Sequence, residues 1–285
     1  MPVPELPEVE TVVRGLRSTI LNKTIARVKT NAPPASIVVS DSFKNRGIAS
    51  ILKGKKILEI NRRGKNILIS LSDEITLWAH LKMTGHFFYK EASEPIEKHD
   101  LVIIDFMDDK NNTRPYHLRF NDYRRFGRLR LYYNDELWEQ KGLKTLGEEP
   151  LLMKADDFIS LCKKTRRMIK PALLDQSFIA GIGNIYADEA LYASGIHPQR
   201  ITSTLSKKKL TELHGHIQRL LKKAISLMGT SVDTYSGVNG RPGGFQKYLL
   251  AYGREGEPCS KCGTEIKREK IGSRSAHYCP RCQKI

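Results

Sequence analysis

Near the start of the chain the apolar residues Val9, Val12, Val13, Leu16 and Ile20 fall mostly three to four apart, one stripe of a helix over Glu8 to Ile20, with Pro7 suited to its first turn. From about Thr24 to Tyr133 the pattern changes to short β-type runs: Ile25 to Val28, Lys56 to Asn61, Asn66 to Leu71, Ile75 to Leu81, Leu101 to Phe106 and Arg128 to Tyr132. Gly64, Gly85 and the polar cluster Asp108 to Asn112 punctuate them. This predicts an antiparallel β-sandwich flanked by the first helix. The polar stretch Tyr133 to Lys154, with Gly142, Gly147 and Pro150, is a candidate hinge. Helical periodicity then returns at Ala155 to Cys162, at Asn184 to Ser194, and from Ser206, a suitable N-cap, to about Met228. A glycine-rich loop, Ser236 to Gly244, leads to a cysteine-bearing tail. The predicted class is α+β, with a sandwich over 1–135, a hinge over 136–154, a helical domain over 155–246 and a tail domain over 247–285.

A chain of 285 residues can bury two ordinary cores, in keeping with that division. The formal net charge of +17 forces many Lys and Arg to the surface, where their summed field attracts a polyanion, most commonly nucleic acid. No stretch approaches the ~18 apolar residues that span a bilayer, and the N-terminus lacks the basic flank and apolar run of a signal peptide, so a soluble, cytoplasmic protein is expected.

Four of the five cysteines change the picture. Cys259, Cys262, Cys279 and Cys282 follow C-x2-C-x16-C-x2-C, the spacing at which two knuckles place four thiolates on one tetrahedral zinc ion. Four thiolates close the coordination shell, so the ion is expected to be structural, and redox CxxC pairs are the alternative. Lys267, Arg268, Lys270 and Arg274 lie between the knuckles, where a hairpin can project them towards phosphates or simply towards water. A second anion-binding feature is Gly181-Ile182-Gly183-Asn184, which opens a helix whose free N–H groups and dipole suit a phosphate. The basic run Lys163, Lys164, Arg166, Arg167 and Lys170 just upstream strengthens it as a DNA-backbone clamp.

Several motifs together resemble the formamidopyrimidine-DNA glycosylases (Fpg/Nei family). They are Pro4 to Glu10, Asn61 to Lys65, His80 to Gly85, Asn121 to Gly127, Ile169 to Pro171, Gly181 to Tyr186, and Tyr252 to Arg254 running into the cysteine tail. The resemblance spans nearly the whole chain. It implies an N-terminal β-sandwich, a helix-two-turn-helix module and a zinc ribbon, with DNA in the cleft between the lobes of a monomer associated with the nucleoid.

By that resemblance the nucleophile is the secondary amine of an N-terminal proline, here Pro4, which attacks C1′ of the damaged nucleoside and forms a Schiff base. A terminal amine with a pKa near ~8 keeps a sizeable neutral fraction at physiological pH, whereas a lysine near ~10.4 keeps about 0.1%. Glu5 matches the acid that protonates the opening sugar ring, with Glu8 in support. Lys65 matches a proton-transfer lysine, and Arg274 an arginine linked to δ-elimination. Met83, Arg124 and Phe126 match a wedge filling the gap left by an extruded base. His99, Arg125, Arg166, Lys170 and Asn184 are the family-like or nearby candidates for phosphate contacts, and Gly237 to Gly244 for a mobile lid. The implied activity is a bifunctional glycosylase and AP lyase of base-excision repair, releasing 8-oxoguanine and formamidopyrimidines from duplex DNA with β,δ-elimination.

One position departs from the family pattern. Pro4 stands behind Met1, Pro2 and Val3, and with those residues in place its nitrogen is an amide that cannot form a Schiff base. Three readings follow: Val3 marks a start codon whose product loses its first residue, Pro2 acts from a shifted position, or the protein binds damage without cutting. An endonuclease VIII-like preference for oxidised pyrimidines is a further alternative, against which Leu6 speaks, since that branch more often carries Gly there.

Overall fold

The computed structural model describes residues 3–31, 37–39, 41–43, 46–107, 113–231 and 236–285. Pro2 and the predicted turn Asp108 to Asn112 lie outside them. The described residues form eleven strands and eight α-helices. The first helix, α1, runs Leu6–Ile20 and starts earlier than its apolar stripe, because the Glu8 side chain accepts from the Glu5 N–H at 2.9 Å and closes the first turn.

Two sheets follow. One is four-stranded in the order β1 (Ile25–Thr30), β7 (Asp100–Met107), β8 (Thr113–Asp122), β6 (Gly85–Glu91). The other is five-stranded in the order β2 (Ile37–Val39), β9 (Arg128–Tyr133), β5 (Ile75–His80), β4 (Asn66–Leu71), β3 (Ile57–Arg63), and only the β2–β9 pairing in it is parallel. The inward faces of both sheets and the stripe of α1 share one core, including Val9, Val13, Leu16, Ile60, Ile69, Leu77, Phe87, Phe106, Phe120 and Leu131. A short helix, α2 (Ile48–Leu52), adds Ile51 and Leu52.

Strands β6 and β8 escape a hydrophobic pattern search, and β8 shows why. Arg119 is wholly buried in it, donating to Asp100 at 3.1 Å and to the carbonyls of Pro95 at 2.6 Å and Glu94 at 2.7 Å. A charge can sit in a core when its donors are met, but in the sequence it reads as surface.

The expected hinge carries α3 (Asn134–Leu137) and α4 (Lys141–Lys144), and its end is bonded on both sides. Arg63 donates to the Gly147 carbonyl at 2.7 Å and Arg62 to Glu149 at 2.8 Å, while Ala180 N–H reaches the Glu148 carbonyl at 3.0 Å. The second lobe comprises α5 (Ala155–Lys163), α6 (Ile169–Leu174), α7 (Asn184–Ser194) and α8 (Lys207–Ser226). Ser206 caps α8 by accepting from Lys209 N–H at 3.2 Å. The hairpin of β10 (Lys267–Ile271) and β11 (Arg274–Tyr278) completes the chain.

Leu6, at the head of α1, belongs to the helical core rather than the sandwich core. It lies over Gly181, where an added Cβ would meet Leu6 Cδ1 at 2.7 Å, and its N–H donates to the Gly181 carbonyl at 3.0 Å. Leu6→Ala should therefore cost about 2–5 kcal/mol, the usual range for emptying a buried leucine site. Urea unfolding should show a lower midpoint with an unchanged m value.

Candidate active site

The first turn of α1 brings two carboxylates into the seam between the lobes. Glu5 accepts from the backbone N–H groups of Gly183 at 2.6 Å, Ile185 at 2.8 Å and Tyr186 at 3.4 Å, which are the free donors at the start of α7. Glu8 accepts from the Tyr186 hydroxyl at 2.6 Å and Thr230 N–H at 2.7 Å, besides Glu5 N–H. The backbone donors at the start of α7, which the glycines marked as a phosphate site, are taken up by the Glu5 carboxyl. Gly183 is required for this approach, because a Cβ there would lie 2.4 Å from Glu5 Cδ.

Burial dominates the titration of these groups. It pushes Glu5 up to about 7, against the opposing pull of Lys65, and it raises Glu8 as well. Lys65, in the β3–β4 turn beside left-handed Gly64, is held below the ordinary lysine range by burial, which outweighs the attraction of Glu5 and Glu8; Arg274 pushes it the same way. Lys65 is thus within electrostatic reach of both Glu5 and Arg274, with buried Pro4 next to Glu5 in the chain. A carboxylic acid poised near neutrality, with an amine of lowered proton affinity in reach, is suited to giving and taking protons.

His80, at the end of β5, faces the same charges, although the sequence does not mark it as a site residue. Burial, Lys82 and Lys65 depress it to about 3, so it stays neutral, with Nδ1 accepting from Lys82 N–H at 3.0 Å. Its position after an alternating strand gave no signal that distinguished it from a core histidine.

Two turns assemble the expected wedge. Arg124 Nη1 lies 3.5 Å from Met83 Sδ and its guanidinium 4.7 Å from the centre of the Phe126 ring, which is 46% exposed. Lys82 and Arg125 sit at φ 53° and 57°, the left-handed region that side chains avoid, so both turns are strained. Asp122, buried and unmarked in the sequence, ties them by accepting from Thr84 Oγ1, from Arg124 N–H at 3.2 Å and from Gly127 N–H at 2.6 Å. His99 lies behind this loop, its carbonyl accepting from Asp122 N–H at 3.0 Å and its Nδ1 buried without a partner.

The remaining phosphate candidates diverge. Arg125 and Arg166 are exposed, the latter in the α5–α6 loop, and Asn184 opens α7 with a buried, unpartnered Oδ1. Lys170 has to be corrected. It is wholly buried, donating to Asp188 at 2.5 Å and to the Ser275 carbonyl at 2.6 Å, so its ammonium is not available to a DNA backbone. Its work is internal: Asp188 also accepts from His277 N–H at 3.0 Å, and the pair fastens β11, which begins with Arg274, to the helical lobe. The loop Gly237 to Gly244 is seated across the lobes. Val238 is buried in the sandwich core, its carbonyl accepts from Tyr89 N–H at 3.0 Å, and a Cβ on Gly15 would meet it at 2.9 Å.

The four cysteine sulfurs lie within 4.8 Å of one another. A tetrahedral zinc ion about 2.3 Å from each sulfur would space them about 3.8 Å apart. The separations are 3.9 Å for Cys259–Cys282 and 3.5 Å for Cys262–Cys279, crossing between knuckles as a shared ion requires and a redox pair within one knuckle does not. The Tyr192 hydroxyl lies 3.1 Å from Cys259 Sγ, and Lys261 and Cys282 N–H groups reach Cys259 and Cys279 sulfurs at 3.4 Å, so the thiolates are supported from outside. The residues fit one structural zinc.

Family comparisons agree along the chain. The family model of the formamidopyrimidine-DNA glycosylase N-terminal domain matches residues 3–129, that of the H2TH domain residues 146–236, and a zinc finger found in FPG and IleRS residues 256–285. This chain belongs to the formamidopyrimidine-DNA glycosylase family. Its relatives include the formamidopyrimidine-DNA glycosylases of Pelotomaculum thermopropionicum, 41% identical over 99% of this chain and 100% of that one, and of Ligilactobacillus salivarius, 39% identical over 99% of both. Among solved structures it is similar to a Lactococcus lactis Fpg variant bound to Fapy-dG DNA, with TM-score 0.88, 35% identity and coverage of 99% and 100%. A complex of the L. lactis enzyme with abasic-site DNA gives the same figures.

Two outcomes follow. Chelation of one bound zinc per chain should melt the ribbon and lower the thermal midpoint, with metal content measured by emission spectrometry before and after. The raised pKa of Glu5 means that the folded state keeps a proton which the unfolded chain, with its carboxyl near 4.5, releases. That stabilising contribution is complete below 4.5 and is lost as pH rises through about 7. Denaturant midpoints should fall over that window, and Glu5→Gln should flatten the fall.

Proposed function

We propose that this protein is a bifunctional DNA glycosylase and AP lyase that removes oxidised purines, 8-oxoguanine and formamidopyrimidines, from duplex DNA. The observation that supports the reading is Glu5, next in the chain to buried Pro4, titrating near neutrality in the seam of the lobes with Lys65 in electrostatic reach of it and of Arg274. The Pro4 nitrogen, freed of Val3, attacks C1′ as the glycosidic bond breaks, and the departing base takes up the proton that the amine gives up. Glu5 gives its proton to the sugar-ring oxygen as the ring opens, and the adduct is a cationic iminium. Lys65 moves protons at this centre, and the two strand breaks follow by successive loss of the 3′ and 5′ phosphates, with Arg274 beside the departing phosphate. Met83, Arg124 and Phe126 fill the space of the extruded base, while His99, Arg125, Arg166 and Asn184 are the proposed phosphate contacts. The relatives cited are bacterial, and among the described residues no helix is long and apolar enough to cross a membrane. The reading places the enzyme on chromosomal DNA in the cytoplasm.

Borohydride reduction during reaction with an 8-oxoguanine duplex should trap a covalent adduct whose protein part begins at Pro4 by intact mass. An adduct formed by a chain that still carries Val3 would exclude Pro4, and tight binding with no adduct would identify a damage-binding paralogue. Glu5→Gln should slow base release by roughly 10²-fold or more, the usual size of a lost general acid, as measured by single-turnover kinetics.

A further inference from the structure

The outer face of the five-stranded sheet, turned away from the sandwich core, carries a basic track that ends in a cavity. Strand β9 pairs with β5 so that Arg128 lies opposite His80 and Arg130 opposite Trp78. The two arginines, alternate residues of one strand, therefore share a face about 6.7 Å apart, with His80 and the catalytic seam at one end. At the other end Leu137 and Leu143 of the α3–α4 segment pack on Leu68 and Tyr132. Between them a cavity of about 150 Å³ opens, walled by Trp78, Arg130, Tyr132, Gln140 and Lys141.

The charge in this wall is uncompensated. Among the described residues the Arg130 guanidinium makes one hydrogen bond, to the Tyr132 hydroxyl at 3.3 Å, and its buried Nε has no partner; the guanidinium lies 5.6 Å from the centre of the Trp78 ring. Among the described residues no carboxylate pairs with Arg130, Lys141, Arg128 or Lys82. The wholly buried Arg119 is met by a carboxylate and carbonyls, whereas half-buried Arg130 is met by neither, so its guanidinium has the chemistry of an anion site. Lys82, beside it, is pushed below the ordinary lysine range by burial and by Arg128 and Arg130, which marks the same excess of positive potential. The half-buried Trp78 indole, fixed by its N–H bond to Asn66 at 3.1 Å, offers a flat partner for a base or sugar next to the bound phosphate.

We infer that the Trp78–Arg130–Lys141 cavity binds the phosphate of a nucleotide, supplied by a DNA strand that leaves the catalytic seam along Lys82 and Arg128. The source in DNA rests on the activity proposed above, whereas the nucleotide-phosphate chemistry rests on the cavity alone.

The test compares a minimal lesion duplex with the same duplex extended by single-stranded flanks on either side, for the wild type, Lys141→Ala and the Arg130→Gln/Lys141→Ala pair. Extension should tighten wild-type binding about 5-fold or more, and the double variant should lose that gain with a salt slope shallower by about 0.7 for each single-strand phosphate contact removed. Cleavage of the minimal duplex should not change, which also reports that the variants fold, and exposed Lys141 should lose part of the gain alone. Trp78 and Trp138 are the two tryptophans of the chain, so a Trp138→Phe background lets Trp78 emission follow titration with the flanked DNA, a deoxynucleoside monophosphate and inorganic phosphate. Saturable quenching by the monophosphate without any flank effect would support the site with a free nucleotide as its source. No flank effect and no quenching would overturn it, while failure of the wild type to bind and cut the minimal duplex would instead sink the proposed function.

Discussion

The head of α1 is held by groups it does not own. Glu5 and Glu8 are satisfied by Gly183, Ile185, Tyr186 and Thr230, all in the second lobe, and Leu6 is packed in that lobe's core. The rest of α1 lies in the sandwich core. Docking of the lobes and construction of the acid site are therefore one event, because without the second lobe Glu5 has none of its donors and Glu8 keeps only the Glu5 N–H. The dry environment this creates is also what raises Glu5 towards neutrality, so the chemistry depends on the packing rather than merely sitting beside it.

The same logic ties the ribbon to the site. Arg274 begins β11 and reaches the seam only because the hairpin is pinned twice, by the four-sulfur cluster with Tyr192 of α7 and by Lys170 and His277 meeting at Asp188. A structural ion can govern catalysis at a distance through such rigid connections, by fixing where one cation stands.

What the sequence made legible was whatever is encoded locally. Cys259 to Cys282 announced their spacing, Ser206 its cap, and the stripe from Val9 to Ile20 its helix. Harder to read were features decided by long-range partners. Arg119 and Lys170 look like surface charges until Asp100 and Asp188 are found beside them, and Asp122 has no local pattern that reveals it as the anchor of two strained turns. The glycines of Gly181 to Asn184 signalled open donors at a helix start, but only folding could bring Glu5, some 180 positions earlier, to accept from them. The resemblance named the members of the site, whereas their protonation states came from burial that no motif records.

Lys65 and Lys170 show how one residue type is given two uses by its acceptors. Both are held below the ordinary lysine range by burial and pulled back up by carboxylates. Lys170 meets Asp188 at 2.5 Å and a carbonyl at 2.6 Å, so its proton is locked into direct hydrogen bonds and the side chain serves as a fastener. The carboxylates near Lys65 are already occupied by backbone donors and a tyrosine hydroxyl, and they themselves hold protons more tightly than usual. Their pull on Lys65 is correspondingly incomplete, and its ammonium can release a proton at modest cost. Moving a fully ionised carboxylate into hydrogen-bonding contact with Lys65 would convert it into a second Lys170, stronger as a bond and useless for proton transfer.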